Sequence, residues 1–226
     1  MIYASANIHG CYQLWNRLLK KINFKDTDSM FVLGDTIDIG DGGIELLEQL
    51  SYAQNIWPVA GRHEVTARKY LSGFDSLLKS GKAPDPEFVE GIKRWLEDGG
   101  QPTFDAFREL DSESREGILE YLNDMPLYEE VRAGGVDYLL VNTGITGFDI
   151  SKSLDDYTED DLFGDSPVRK VPGYTVICGA LPTTENFSRD CRIRRGDGFI
   201  DIDCGAARGG RLAALRLDDG AEFYVE

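Results

Sequence analysis

Histidine is scarce in this chain, which has only His9 and His63 among its 226 residues. Histidine is the commonest ligand and proton carrier at protein metal and acid–base sites. Any site that needs several imidazoles is therefore excluded. The four cysteines form no C-x-x-C pair, which disfavours a zinc knuckle. We expect these thiols to be reduced.

Long apolar runs are also missing. The run "YLLVN", residues 138–142, is far too short to cross a bilayer. The first ten residues, "MIYASANIHG", lack the basic region and the apolar stretch of a signal peptide. We therefore expect no contact with a membrane and a cytoplasmic location.

Positive charge is in deficit, with 24 Lys and Arg against 40 Asp and Glu and a formal net charge of −16. Nucleic acids and anionic membranes bind basic faces, so both classes of partner are disfavoured. Acidity of this size most simply serves solubility. The length suits one α/β domain, and with no Pro/Gly/Ser-rich linker we predict a single domain over residues 1–226.

Strand and helix patterns alternate in the first third. "MIYASAN", "SMFVLGD" and "NIWPVAG" read as buried strands, and each is followed by a helical pattern, the last being "HEVTARKYLSGF". This order predicts a parallel sheet with right-handed crossovers. Chemistry in such sheets lies at the carboxyl ends of the strands, in loops that here begin at Asn7, Asp35 and Gly61.

The rest of the chain changes character twice. Residues of about 75–125 are polar and helical in pattern, which predicts a helical insertion or lid. The last third then reads as consecutive strands separated by Gly and Asp turns. This pattern predicts a second, mixed or antiparallel sheet, and hence an α/β two-sheet sandwich flanked by helices.

Polar residues follow each predicted strand of the first sheet. They lie in "ANIHG", "GDTIDIG" and "GRHE", about 26–28 residues apart, and two later strands end in "VNTG" and "GALP". Polar residues at one strand end are common turn formers. Three such loops in order indicate a site. The candidates are Asn7, His9, Asp35, Asp38, Arg62, His63, Asn142 and Ala180.

These motifs resemble those of the metallophosphoesterase superfamily. The similarity is to PPP-type serine/threonine phosphatases and their bacterial, phage and dinucleoside-tetraphosphatase relatives. That family carries G-D-x-H-G, G-D-x-x-D-R-G, G-N-H-E, V-H-A-G and G-H-T in this order. "GGQPTFDAF" resembles its lid segment, and "IDIDCGAARGGRL" its final hairpin. The resemblance covers essentially the whole chain and implies the calcineurin-like two-sheet fold.

The resemblance also implies two-metal phosphoester hydrolysis, but the ligand positions match poorly. His9 and Asp35 stand at metal positions that keep a ligating residue. Asp38 and His63 match the family's orienting acid and general acid. An arginine that grips phosphate in the family is replaced by Ile39. The degenerate metal positions are Asn7, Arg62, Asn142 and Ala180.

Arg62 is the most informative departure. A guanidinium group has no lone pair to give and would repel a metal ion. Three interpretations stay open. Arg62 substitutes for a metal by pairing with Asp35, it binds phosphate, or it points to solvent. His9 and His63 are likewise either functional or inherited structural residues.

These residues support two functional hypotheses. The first is a pseudophosphatase, a binding or regulatory module without a metal cofactor that recognises a phosphorylated protein or a small phosphate ligand. The alternative is an active phosphoester hydrolase with a weakened or single-metal site that holds Mn²⁺ or Mg²⁺. A structural or oligomerising role without any ligand is a third possibility.

Overall fold

Two five-stranded β-sheets stacked on each other form the centre of the computed structural model, which describes residues 1–164, 167–179 and 191–226. Helices flank this sandwich. The strands are β1 (Ile2–Ser5), β2 (Ser29–Leu33), β3 (Ile56–Val59), β4 (Tyr128–Ala133), β5 (Val136–Val141), β6 (Ile145–Thr146), β7 (Pro167–Val168), β8 (Thr175–Cys178), β9 (Arg194–Arg195), β10 (Phe199–Asp201), β11 (Leu212–Arg216) and β12 (Glu222–Val225). The helices are α1 (Tyr12–Lys21), α2 (Gly43–Tyr52), α3 (Arg62–Ser80), α4 (Pro86–Trp95), α5 (Gln101–Glu109), α6 (Ser112–Asp124) and α7 (Glu159–Leu162).

The first sheet has the order β12-β11-β1-β2-β3. Its β1, β2 and β3 strands are parallel, as the alternating pattern predicts. The expectation that all the late strands form the second sheet is wrong for β11 and β12, because β11 pairs antiparallel with β1. Four of the five β11 residues are buried, and such a strand needs a layer on each face. An interior place in the first sheet provides both layers.

The second sheet has the order β4-β5-β8-β10-β9. It is mixed, since β5, β8 and β10 run parallel while β4 and β9 are antiparallel to their neighbours. The edge strand β9 exposes Arg194 and Arg195, and Arg195 pairs with Glu222 at 3.1 Å. These arginines therefore form a solvated edge.

The main core lies between the two sheets. It joins Ala4, Leu33 and Leu215 of the first sheet to Leu140 and Ile177 of the second. α1 and α2 pack on the outer face of the first sheet, whereas α7 packs against the second. α3 continues past the predicted end at residue 74 and stops at Ser80, where Gly81 adopts a φ of 64°. This left-handed conformation favours glycine and ends the helix.

The region predicted as a helical insertion contains α4, α5 and α6. A kink at Gly99, whose φ is 106°, separates α4 from α5. The three helices share a buried apolar cluster with α2 and α3 that includes Leu71, Trp95, Phe107 and Leu122. The insertion is thus packed into the body of the protein. Among the described residues, no helix has the length and apolar character needed to cross a bilayer.

Candidate functional site

Loops at the carboxyl ends of six strands meet around one cleft. They follow β1, β2 and β3 of the first sheet and β5, β8 and β10 of the second. The cleft has a volume of about 440 Å³, which suits a small ligand or one side chain of a partner. Its polar lining is His9, Asp35, Arg62, His63, Asp98, Asn142, Thr143, Arg169, Asp203 and Arg208, together with Asn7 at its inner end.

Backbone strain is concentrated in these loops. Positive φ angles occur at Asn7 (52°), His9 (48°), Asp35 (50°), Asp38 (69°) and Ile39 (65°). Each such residue costs about 1–3 kcal/mol and persists only where the surroundings hold it in place. Strain of this kind clusters at ligand sites, and the loops are therefore built for more than connecting strands.

Glu64 holds two of the loops together. Its buried carboxylate accepts backbone N–H bonds from Gly61 and Asp35, both at 2.8 Å, and from Thr36 at 2.7 Å. Burial and the charge of Asp35 raise the pKa of Glu64 to about 7, although the backbone donors oppose the rise. This side chain therefore fixes Asp35 relative to the start of α3.

Asp38 and His63 form the hydrogen bond that the sequence predicts. The distance from His63 Nδ1 to Asp38 Oδ2 is 2.7 Å, and Asp38 is fully buried. Burial lowers the pKa of His63, but the bond to Asp38 and the nearby acids outweigh it and raise the value to about 9. His63 therefore carries a positive charge at neutral pH, with only Nε2 left for a ligand.

His9 lies beside this pair. Its ring centroid is 4.9 Å from that of His63, in an edge-to-face arrangement, and its Nδ1 is 3.3 Å from the carbonyl oxygen of Ile37. Burial lowers the pKa of His9 below its usual value. Donor atoms of His9, Asp35 and His63 all lie within 4.8 Å of one another. These three residues suit one divalent ion at most.

The residues do not fit a pair of ions. Asn7 donates its amide to Asp203 at 3.1 Å, and Asn142 donates its amide to the carbonyl of Leu33 at 3.0 Å. Both side chains are buried, and their oxygens have no partner among the described residues. Neutral amides bind a hard cation weakly, and Arg62 cannot ligate one. Ala180, the remaining degenerate position, lies outside the described residues.

Arg62 begins α3 and lines the cleft with its side chain exposed. The suggested ion pair with Asp35 does not form, since the guanidinium group of Arg62 pairs with none of the described carboxylates. The carboxylate of Asp35 instead accepts the backbone N–H of His63 at 3.2 Å. Arg62 is therefore open to an incoming anion.

Five polar residues of the cleft lining were not among the predicted candidates: Asp98, Thr143, Arg169, Asp203 and Arg208. Asp203 follows β10 and accepts the N–H of Gly205 at 2.8 Å, and burial raises its pKa to about 7. Its position directly after a strand, in "IDIDCG", could have predicted Asp203 as a site residue. Arg169 follows β7 and Arg208 ends a short 3-10 helix, and no comparable pattern marks either position. Arg169 is held by a bond from its Nε to the carbonyl of Thr143 at 3.0 Å.

Comparison with known proteins shows which proteins this chain is similar to in sequence and in fold. No protein-family model matches the chain. It is similar to a symmetrical bis(5'-nucleosyl)-tetraphosphatase of Methylobacillus flagellatus, with 26% identity over 99% of this chain and 94% of that protein. It is also similar to serine/threonine-protein phosphatase 2 of Salmonella typhimurium, with 29% identity over 96% of this chain and 92% of that protein.

A solved structure shows the same architecture. A metallophosphoesterase from Sphaerobacter thermophilus has a TM-score of 0.55 and 14% identity, and the match covers 100% of this chain and 87% of that one. Identity this low shows the fold alone. Together with the curated relatives, it confirms the calcineurin-like fold and the resemblance to the metallophosphoesterase superfamily.

Proposed function

We propose that this relative of the metallophosphoesterases binds a phosphorylated ligand through arginine and acts as a pseudophosphatase, a binding or regulatory module. The observation that carries the proposal is the place of Arg62. It lies at the N-terminus of the nineteen-residue helix α3, exposed in the cleft and free of any described carboxylate. A helix N-terminus and an open guanidinium group both favour an anion.

The charge of the cleft supports the same conclusion. Arg62, Arg169 and Arg208 line it, and His63 adds a further positive charge at neutral pH. Carboxylates also line the cleft and the whole chain carries −16, so these four groups are cations that an incoming anion could contact there. A phosphate group is the anion that such a set of guanidinium donors binds best.

The ligand positions argue against two-metal hydrolysis. A second ion would have to bind beside Arg62, which is always protonated, and its ligands would include the neutral amides of Asn7 and Asn142. This donor chemistry underlies the proposal that hydrolytic power is lost.

A single-metal phosphoester hydrolase is the second candidate, because His9, Asp35 and His63 place possible ligand atoms within 4.8 Å of one another, and the metal would displace the proton on His63 Nε2. A bound Mn²⁺ or Mg²⁺ would polarise a phosphate oxygen there. In this case the bond between His63 Nδ1 and Asp38 would orient the ring, and Arg62 would hold the phosphate.

The test combines binding, metal analysis and turnover. Calorimetry with phosphoserine should show binding by the metal-free protein, and Arg62→Ala should weaken it about tenfold. Arg17→Ala, which removes an exposed arginine on α1, is the matched control. Stoichiometric Mn²⁺ with turnover of p-nitrophenyl phosphate, lost on His63→Gln, would refute the pseudophosphatase and support the single-metal enzyme.

A further inference from the structure

The side chain of Trp95, in the insertion, bonds the carboxylate of Asp38 next to the cleft. We propose that Trp95 is a positioning residue: its indole N–H holds the carboxylate of Asp38 in the orientation in which Asp38 bonds His63. Ligand binding in the cleft and the structure of the insertion are thereby coupled. This inference rests on the proposed phosphate-binding function, and it assigns a role to a residue that is not part of the described cleft lining.

The geometry at Asp38 is the first argument. Oδ2 accepts two bonds, from His63 Nδ1 at 2.7 Å and from Trp95 Nε1 at 2.9 Å, whereas Oδ1 has no partner among the described residues. Two donors on one oxygen set the rotation of this buried carboxylate. Without the indole donor, the carboxylate would keep a single side-chain bond and could turn Oδ1 towards His63.

The indole itself has no freedom to move. Trp95 stacks on Tyr70, with ring centroids 5.9 Å apart and planes 17° apart, and meets the ring of Phe104 edge to face at 6.3 Å. A Cβ atom added at Gly100 would come within 2.3 Å of the indole ring. Trp95 is thus a rigid anchor, and Asp38 is the partner that it orients.

Two further bonds tie the same loop to the insertion. The N–H of Asp38 donates to Thr103 Oγ1 at 3.0 Å, and the N–H of Ile39 donates to the carbonyl of Gly99 at 2.8 Å. Asp98, in the same kink, lines the cleft. The insertion therefore meets the Asp38 loop at three points next to the site, which suits transmission of a change in either direction.

Packing alone does not explain the indole bond, as another tryptophan shows. Trp15 is fully buried in the core, and its Nε1 has no partner among the described residues. The fold therefore tolerates a buried indole N–H that has no hydrogen-bond partner among the described residues. The donor of Trp95, in contrast, reaches the carboxylate that bonds the imidazole ring of His63. A phosphate bound at His63 Nε2 would change the charge on Asp38 Oδ2 and hence the environment of the Trp95 N–H.

The chain has three tryptophans, and this makes a sharp experiment possible. In ¹⁵N-labelled protein each indole N–H gives one resonance, assigned from the single Phe variants. On titration with inorganic phosphate we expect the Trp95 resonance to shift with saturation. The resonances of Trp15 and of the half-exposed Trp57 should stay in place.

A variant gives the second readout. Trp95→Phe keeps an aromatic ring but lacks the donor, and it should weaken phosphate binding about five- to tenfold in protein that is still folded, because one bond to a charged group is lost. Trp57→Phe should have no effect. A purely structural Trp95 would lower the melting temperature while leaving phosphate affinity, measured well below that temperature, unchanged.

The outcomes separate the two proposals. Phosphate binding that depends on Arg62, with no shift at Trp95 and full affinity in Trp95→Phe, overturns the positioning role and leaves the function standing. If the wild-type protein binds no phosphate, the proposed function fails. The role of Trp95 is then decided by the ring resonances of His63, which must move in Trp95→Phe if the indole positions Asp38.

Discussion

The charge on His63 should make stability depend on pH in a defined window. The pKa of His63 is raised from 6.5 to about 9 in the folded protein, despite burial, by the bond to Asp38 and by the nearby acids. A group with a raised folded pKa stabilises fully below its unfolded pKa and loses that contribution as pH rises through the folded value. The loss should therefore fall between about pH 6.5 and 9.

The magnitude follows from the size of the shift. The shift amounts to about 3 kcal/mol at 25 °C, and the slope within the window is about 1.4 kcal/mol per pH unit. The side chain of His63 is 11% exposed, so solvent screening reduces this value only modestly. His63→Gln should remove the pH-dependent part and add a constant offset for lost contacts.

Two measurements check this prediction. Urea unfolding of the wild type and of His63→Gln at pH 6, 7.5, 9 and 10 should give a difference in unfolding free energy that shrinks as pH rises. Since the chain has only two histidines, NMR can follow both rings directly. One should titrate near pH 9, and the other, His9, below its ordinary value because burial lowers its pKa.

The result that would refute this reasoning is equally clear. If both rings titrate near pH 6.5, or if the free-energy difference is the same at pH 6 and pH 10, His63 is not held charged by its neighbours. Asp38→Asn provides an internal check. It weakens the bond that raises the pKa of His63 while burial, which lowers it, remains, and the pKa should therefore fall.

Four further substitutions test the loops and the insertion. Glu64→Gln should lower the unfolding free energy by about 2–4 kcal/mol in urea, because its amide would face backbone N–H donors. Gly10→Ala should lower the unfolding free energy by at least about 2 kcal/mol in the same assay, since φ is 69° and a carbonyl oxygen lies 2.2 Å from the new Cβ. Gly117→Ala in α6 meets open space and should raise the unfolding free energy by about 0.5–1 kcal/mol. Arg115→Met should cost about 2–3 kcal/mol in thermal unfolding, because its Nε bonds the buried Asp75 at 3.0 Å.

Matched control variants test whether these changes in stability are specific to the substituted residue. Glu120→Gln and Arg94→Met change exposed residues on α6 and α4 and should each alter stability by less than about 0.5 kcal/mol. Equal effects in a variant and its control would contradict the role assigned to that residue. The two glycine variants control each other, since they must differ in sign.

Much of the fold was predictable because its signals are local. The β1, β2 and β3 strands are short apolar runs followed by amphipathic helices, and this pattern predicts a parallel sheet. The extent of α3 was underestimated, because Gly73 lies inside the helix while Gly81 ends it. The pairing of β11 with β1 was missed, since pairing between distant strands depends on burial of both faces of β11.

The sequence by itself determined the donor chemistry of this protein. Two histidines, an arginine at position 62 and amides at positions 7 and 142 limit what any arrangement of the chain can bind, because side-chain chemistry does not depend on the fold. The polar loops that follow β1, β2 and β3 in sequence also predicted where the cleft lies.

Only the tertiary structure decided which groups meet there. It left Arg62 without a partner among the described carboxylates, brought Asp203 to Asn7 and set Trp95 against Asp38, 57 residues earlier in the chain. These contacts depend on how sheets and helices pack over long separations, and no local pattern encodes that packing. Their effect on charge follows from burial, which raises the pKa of Asp203 and excludes water from the Asp38 carboxylate.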